Sequence, residues 1–156
     1  MKTVKSSQVI MTEMVLPSHI NALGSIFGGV IMSWIDIAAA ICAQRHSNKT
    51  VVTASIDALH FVAPVYKGWI VNLKASCNFA SRTSMEIGVR IDAENPISGE
   101  TFHTATAYLT FVAIDENLKP IPVPKLLPES AEEKRRYEAA QIRRQTRLER
   151  KKAIEK

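Results

Sequence analysis

The segment from about Ser25 to Arg45 constrains the fold more than any other. Phe27, Val30, Ile31, Trp34, Ile35, Ala38, Ile41 and Cys42 recur at helical spacing. The helix they define is apolar over much of its circumference, so other elements must nearly engulf it. Arg45 and His46 suit its C-terminal end, and Ser47-Asn48-Lys49 reads as the turn that follows. Gly28 and Gly29 stand where the helix begins, and one carboxylate, Asp36, lies inside it.

After that helix the chain reads as strand to about residue 114. Thr12 to Leu16 forms a short strand before the loop that Pro17 starts. Val51 to Phe61 is the first long strand, and Pro64 to Gly68 a turn. Trp69, Val71, Leu73, Ala75, Cys77 and Phe79 then alternate with more polar residues, as do Met85, Ile87, Val89, Ile91 and Ala93. Asn95-Pro96-Ile97-Ser98-Gly99 makes a hairpin loop, and Phe102 to Ile114 a long last strand. Short connections between successive strands imply an antiparallel sheet. One engulfed helix with a long, curved antiparallel sheet is an α+β layer solution. A single helix covers only one face of such a sheet, and the apolar excess points to pairing with a second copy.

The 156 residues suit one core, and 46% of them are hydrophobic. No apolar run approaches the roughly 18–20 residues that span a bilayer. The first eight residues carry no signal-like apolar segment. Cys42 and Cys77 read as small buried hydrophobes without metal-ligand spacing. A reduced, cytoplasmic setting is the expectation, with no membrane partner.

The net charge of +5 belongs to one end. Residues 1–124 hold nine basic and nine acidic residues, whereas 125–156 hold eleven and six. Pro120, Pro122, Pro124 and Pro128 form an extended spacer between the two parts. Residues 129–156 are charged and helix-favouring, with few apolar residues, so a solvated helix or a frayed tail is expected. The tail alternates its charges and carries one aromatic, Tyr137, which argues against nucleic acid as a partner. The expected division is a domain over 1–124 and a tail over 125–156.

Several residues outside this framework suggest acyl-group chemistry. Glycine amides at a helix start can hold a carbonyl or an anion, or else serve close helix–strand packing. Asp36 has Met32, Ser33, Ala39 and Ala40 one turn away, with Gly29 further back, and the small ones leave space above it. It reads as a buried general base or nucleophile, or as a structural carboxylate paired to a strand. Asn21 offers an amide to water or a carbonyl, or is a plain turn residue. Arg82, Thr83 and Ser84 join a loop to a strand with free amides and one cation, which suits phosphates or an ordinary hairpin. Ser55 and His60 are polar residues in apolar strands, and no serine or cysteine nucleophile motif accompanies His60. No metal cluster, phosphate-binding Gly-Lys-Thr loop or dinucleotide fingerprint appears.

His19 to Asp36, followed by Val51 to Asp57 and by His60-Phe61-Val62-Ala63-Pro64-Val65, resembles the hotdog-fold acyl-CoA thioesterases. Ser81-Arg82-Thr83-Ser84-Met85 is similar to another signature of that family. The nearest subgroup is the single-domain bacterial acyl-CoA hydrolases related to the tandem-hotdog mammalian cytosolic enzymes, and the resemblance covers about residues 8–118. It implies the hotdog fold, a helix wrapped by a five- to six-stranded antiparallel sheet. It implies a dimer joined sheet edge to sheet edge, assembled further as a trimer of dimers. It implies hydrolysis of acyl-CoA at the dimer interface, with no cofactor beyond the coenzyme A of the substrate. Asn21 matches the family's catalytic asparagine, Asp36 its helix acid and Thr53 the assisting hydroxyl, with Asn21 and Asp36 of one site drawn from opposite subunits. Gly28 and Gly29 then fall at the oxyanion, and His60, Arg82, Thr83 and Ser84 on the coenzyme side. The rival readings are a non-catalytic acyl-CoA sensor, which would not need an intact Asn–Asp pair, and a hotdog hydratase. The hydratase usually needs a site histidine, for which His19 and His60 are the candidates, although neither occupies the helix position.

Overall fold

A computed structural model describes residues 1–57 and 59–155. Ala58, inside the strand expected over Val51–Phe61, and Lys156, the end of the expected tail, lie outside the described residues. The elements are β1 (Lys2–Thr3), β2 (Val9–Met14), α1 (Gly28–Ser47), β3 (Thr50–Ile56), β4 (Ile70–Ala80), β5 (Ser84–Glu94), β6 (Thr101–Ile114), β7 (Leu126–Leu127) and α2 (Ala131–Glu155). Five strands make one antiparallel sheet in the order β2-β4-β5-β6-β3. β1 and β7 pair separately, in parallel. This is the expected arrangement of a long helix in the hollow of a curled sheet.

Alternation builds the core. Val71, Leu73, Ala75 and Cys77 of β4 stand opposite Ala93, Ile91, Val89 and Ile87 of β5. All are buried, as are Ile31, Trp34, Ile35, Ala38, Ala39 and Cys42 of α1, which pack in the same cluster. Both thiols are sealed in, and burial pushes Cys42 up to about 11 and Cys77 well above the ordinary thiol value. The helix ends as the sequence suggests, though two residues later. Asn48 takes a left-handed conformation (φ 55°) and its N–H donates to the Gln44 carbonyl at 2.7 Å.

Two expectations change. The helix is not nearly engulfed, because the face carrying Met32 and Ile37, 41% and 51% exposed, has no cover among the described residues. The first long strand stops at Ile56 rather than Phe61. Beyond it, Asp57 N–H still donates to the Tyr108 carbonyl and Val62 N–H to the Thr104 carbonyl, so the segment follows β6 without forming a continuous ladder.

The basic tail is also more than a solvated helix. α2 lies on the outer face of the sheet, and Ala140 is buried there. The ring of Tyr137 meets Phe79 edge to face at 5.0 Å. Arg143 forks onto Glu86, Nε to Oε1 at 2.8 Å and Nη2 to Oε2 at 2.9 Å, and stacks 3.7 Å over the Tyr108 ring. Glu86 is only 3% exposed and also accepts from Asn78 Nδ2. A buried carboxylate needs such partners, and a planar guanidinium fits one best. One turn later Arg147 Nη1 donates to Asp57 Oδ2 at 3.2 Å.

His46 is fully buried and its Nε2 lies 2.7 Å from the Pro124 carbonyl oxygen. Burial holds its pKa below the ordinary 6.5. Unfolded His46 therefore takes up a proton that the folded residue resists. Its contribution is complete above about pH 6.5 and is lost as pH falls below it, by at most about 1.4 kcal/mol per pH unit. Urea midpoints taken at about pH 7.5 and 5.5 should differ more for wild type than for His46→Gln. Arg143→Ala should lower stability by about 1–3 kcal/mol in urea unfolding, because Glu86 keeps only Asn78.

Candidate functional site

The chain reverses at Asn48, and chain geometry decides which residues of α1 and β3 meet. Asp36 precedes the helix end, Ser47, by eleven residues, about 16 Å at ~1.5 Å per residue. Thr53 follows Ser47 by six residues, which at ~3.3 Å each covers a similar length once the turn is made. The two side chains do meet: Thr53 Oγ1 donates to Asp36 Oδ1 at 2.7 Å. Thr53 also stands at a break in the ladder, since the β3–β6 register shifts between Thr53 and Ser55. Such bulges re-aim side chains.

Asp36 is half-buried rather than buried, as the open helix face requires. Gly29, Met32, Ser33 and Ile37 around it are exposed, so the space the sequence suggested above the carboxylate is present. Thr53 is the one hydrogen-bond partner of the Asp36 side chain among the described residues. It occupies Oδ1 and fixes the carboxylate's orientation, which leaves Oδ2 to face whatever approaches.

Asn21 lies in the loop before α1. Its Oδ1 accepts from Leu23 N–H at 2.8 Å, and its Nδ2 donates to Ser25 Oγ at 3.0 Å. The loop closes on itself through Asn21 N–H to the Ser25 carbonyl. The side chain thus performs the turn role, which also fixes where its amide stands. No side chain caps the start of α1, which follows Phe27. The first-turn amides of Gly28 and Gly29 have no intrahelical acceptor. Gly29 has open space at its Cα, whereas at Gly28 the Phe61 ring stands 3.5 Å from where a Cβ would be. Asn21 belongs to the helix start and Asp36 to its middle, about 12 Å along the axis from Gly28.

The remaining candidates are spread around this centre. The turn holding Arg82 and Thr83 lies at the level of Thr53, because Thr53 pairs with Phe111, and Phe111 with Met85. Arg82 is exposed, Ser84 Oγ lies 2.6 Å from Ser81 Oγ, and the Thr83 carbonyl accepts from Ala113 N–H. His60 is exposed in the segment after β3. Sequence reasoning gave no role to Phe61, Ser25 or the Asp57–Arg147 pair. Ser25 sits four residues beyond Asn21 in a loop of small and polar residues, which was the available signal for its contact.

Exposed apolar residues collect on this side of the molecule. Met32 and Ile37 on α1, Ile56 on β3 and Phe61 after it are all accessible. β3 is an edge strand, paired only with β6. A free edge beside apolar surface is what a second chain can cover.

Residues 23–100 match the family model described as the thioesterase superfamily. An uncharacterized acyl-CoA thioester hydrolase of Bacillus subtilis strain 168, YkhA, is 41% identical over 83% of this chain and 75% of its own length. A solved hexameric acyl-CoA thioesterase, in its apo form, is 42% identical with a TM-score of 0.91, over 96% of this chain and 97% of that one. An acyl-CoA hydrolase of Staphylococcus aureus, solved with butyryl coenzyme A, coenzyme A and coenzyme A disulfide, is 36% identical with a TM-score of 0.87, over 99% and 96%. Alanine variants of the S. aureus protein have been solved at an asparagine, an aspartate and a threonine, in the same order and spacing as Asn21, Asp36 and Thr53. This chain spans only about a third, 36%, of the rat cytosolic acyl coenzyme A thioester hydrolase it also matches.

Proposed function

The chain belongs to the thioesterase superfamily, and from that premise we propose that it hydrolyses acyl-CoA to a free carboxylic acid and coenzyme A, at a site shared by two copies of the chain. The observation that carries this reading is the Thr53–Asp36 hydrogen bond, which holds a carboxylate on an open, apolar helix face. The hotdog fold and the relatives solved with coenzyme A support it.

Asp36 has two possible courses from this geometry. As a general base, Oδ2 takes a proton from water while the water oxygen attacks the thioester carbon. Collapse of the tetrahedral intermediate then expels the coenzyme A thiolate, which recovers that proton from Asp36. As a nucleophile, Oδ2 attacks the carbon directly and forms a mixed anhydride with loss of thiolate, and water opens the anhydride. In both courses Asn21 holds the water or the carbonyl, and the Gly28 and Gly29 amides stabilise the oxyanion, an effect worth a few kcal/mol. Thr53 keeps one carboxylate oxygen engaged and the other aimed. Arg82, Thr83, Ser84 and His60 take the phosphates and polar stem of coenzyme A. No metal or further cofactor enters.

Asn21 lies in the loop before α1 and Asp36 about 12 Å along its axis from Gly28, which supports a shared site. Two antiparallel copies of α1 bring each helix start beside the middle of its partner. The accessible face of α1 and the free edge of β3 support the same pairing. Further assembly into a trimer of dimers draws on relatives described as hexameric. The catalytic groups all lie within 1–124, with 125–156 as an accessory segment. No helix of the described residues is long and apolar enough to cross a membrane, and the cytosolic rat relative supports action in the cytoplasm.

Purified protein should release thiol from acyl-CoA substrates between acetyl and stearoyl, with or without chelator. Asp36→Ala and Asn21→Ala should each lower kcat by about a hundredfold or more with fold and assembly retained. Thr53→Val should cost about tenfold, since it only orients the carboxylate. A wild-type protein that releases no thiol from any chain length would overturn the reading.

A further inference from the structure

On the opposite side of the sheet from Asp36, α2 and the outer sheet face enclose a groove of about 570 Å³. That volume lies in the range of small-molecule sites. The lining is basic on both walls. Lys74 and Arg90 come from the sheet, and Arg135, Arg136 and Arg143 from α2, against one lining carboxylate, Glu132. Even with Glu86 beneath Arg143 and Asp92 beside Arg90 counted, two positive charges remain in excess.

One rung of this surface runs against stability. Lys74 and Arg90 are direct cross-strand partners, and like charges placed opposite each other destabilise a sheet. On α2 the stripe at positions 132, 135, 136, 139 and 143 faces the groove, with Arg135 and Arg136 both held by Glu132 and Arg143 held by Glu86.

The rung next to Lys74–Arg90–Thr106 is Ser76–Gly88–Tyr108. The Asn78 amide fills the space at Gly88, since its Nδ2 would stand 2.6 Å from a Cβ there. Hydroxyls of Ser76, Thr106 and Tyr108 add neutral donors among the cations.

We propose that this groove is a second binding site, separate from the catalytic one, for a small polyphosphate anion. Several guanidinium groups spread over two walls fit a ligand with two or more phosphate groups, rather than a single carboxylate. The bound anion would neutralise the repulsion between Lys74 and Arg90, so binding and stability are linked. This proposal does not depend on the hydrolase reading.

The test is calorimetric titration of the full-length, assembled protein at near-physiological salt, with inorganic pyrophosphate, ADP and sulfate as separate probes. Saturable binding of pyrophosphate, about tenfold or more tighter than sulfate, is expected. Lys74→Ala with Arg90→Ala should weaken pyrophosphate by about tenfold or more, while the unliganded protein melts no lower and still hydrolyses its substrate. Arg136→Ala, on the other wall, should weaken it too. ADP tighter than pyrophosphate would place the phosphates on an organic frame, and ADP equal or weaker would assign the bare polyphosphate. Failure of pyrophosphate to bind, equal binding of sulfate, or undiminished binding by the double variant would overturn the proposal.

Discussion

One helix lies against one face of a sheet that cannot wrap it completely, and most of the molecule follows from that constraint. Ile31, Trp34, Ile35, Ala38, Ala39 and Cys42 are sealed between α1 and the sheet. Met32, Ile37 and the upper side of Asp36 are not. Burying such apolar surface is worth about 25 cal/mol per Å², so the pairing proposed here would gain from covering the open face. The carboxylate sits on that face and not in the sealed core. On the function proposed here, a second chain that covers this face would enclose the carboxylate, so assembly and creation of a dry site would be one event, and desolvation would strengthen each hydrogen bond made to a developing charge.

The Thr53–Asp36 contact depends on the same constraint. It forms because β3 runs back along α1 after the Asn48 turn, and because the bulge after Thr53 re-aims the strand locally. A threonine is a suitable orienter at this place. Its hydroxyl donates one bond, and its β-branched body keeps the strand conformation. Asn21 is held by a different device, a loop closed by its own side chain and Ser25. Two local structures thus hold the two side chains, Asn21 in the loop before the helix and Asp36 about 12 Å along its axis from Gly28. In the shared site proposed here, a two-fold pairing would bring them together.

Much of this was legible in the residues, because periodicity reports what is buried. The 3.6 period of α1 and the alternation of β4 and β5 mark the core faces that the structure shows. The signal failed where apolar residues are exposed or where polar ones carry the packing. Phe61 looked like the end of a strand, but its ring lies beside the helix start at Gly28. α2 has few apolar residues, so its pattern read as solvated, yet Arg143 anchors it on the buried Glu86. No period shows a docking made by a guanidinium on a carboxylate fifty-seven residues away. Among the candidate site residues, the structure brings Thr53 to Asp36 and sets the turn at Arg82 at the same level of the sheet. It leaves Asn21 in the loop before the helix, tied to Ser25 rather than to Asp36.

The central claim is that one catalytic site draws Asn21 and Asp36 from two chains, and complementation tests it most directly. Asn21→Ala and Asp36→Ala proteins, each inactive and folded, are mixed in equal amounts under conditions where labelled subunits demonstrably exchange. A mixed dimer then has one site with both lesions and one with neither. About half the dimers are mixed, so recovery to roughly a quarter of wild-type turnover is the expected result. Complete exchange with no recovery of thioester hydrolysis would contradict the shared site and require both residues to act within one chain.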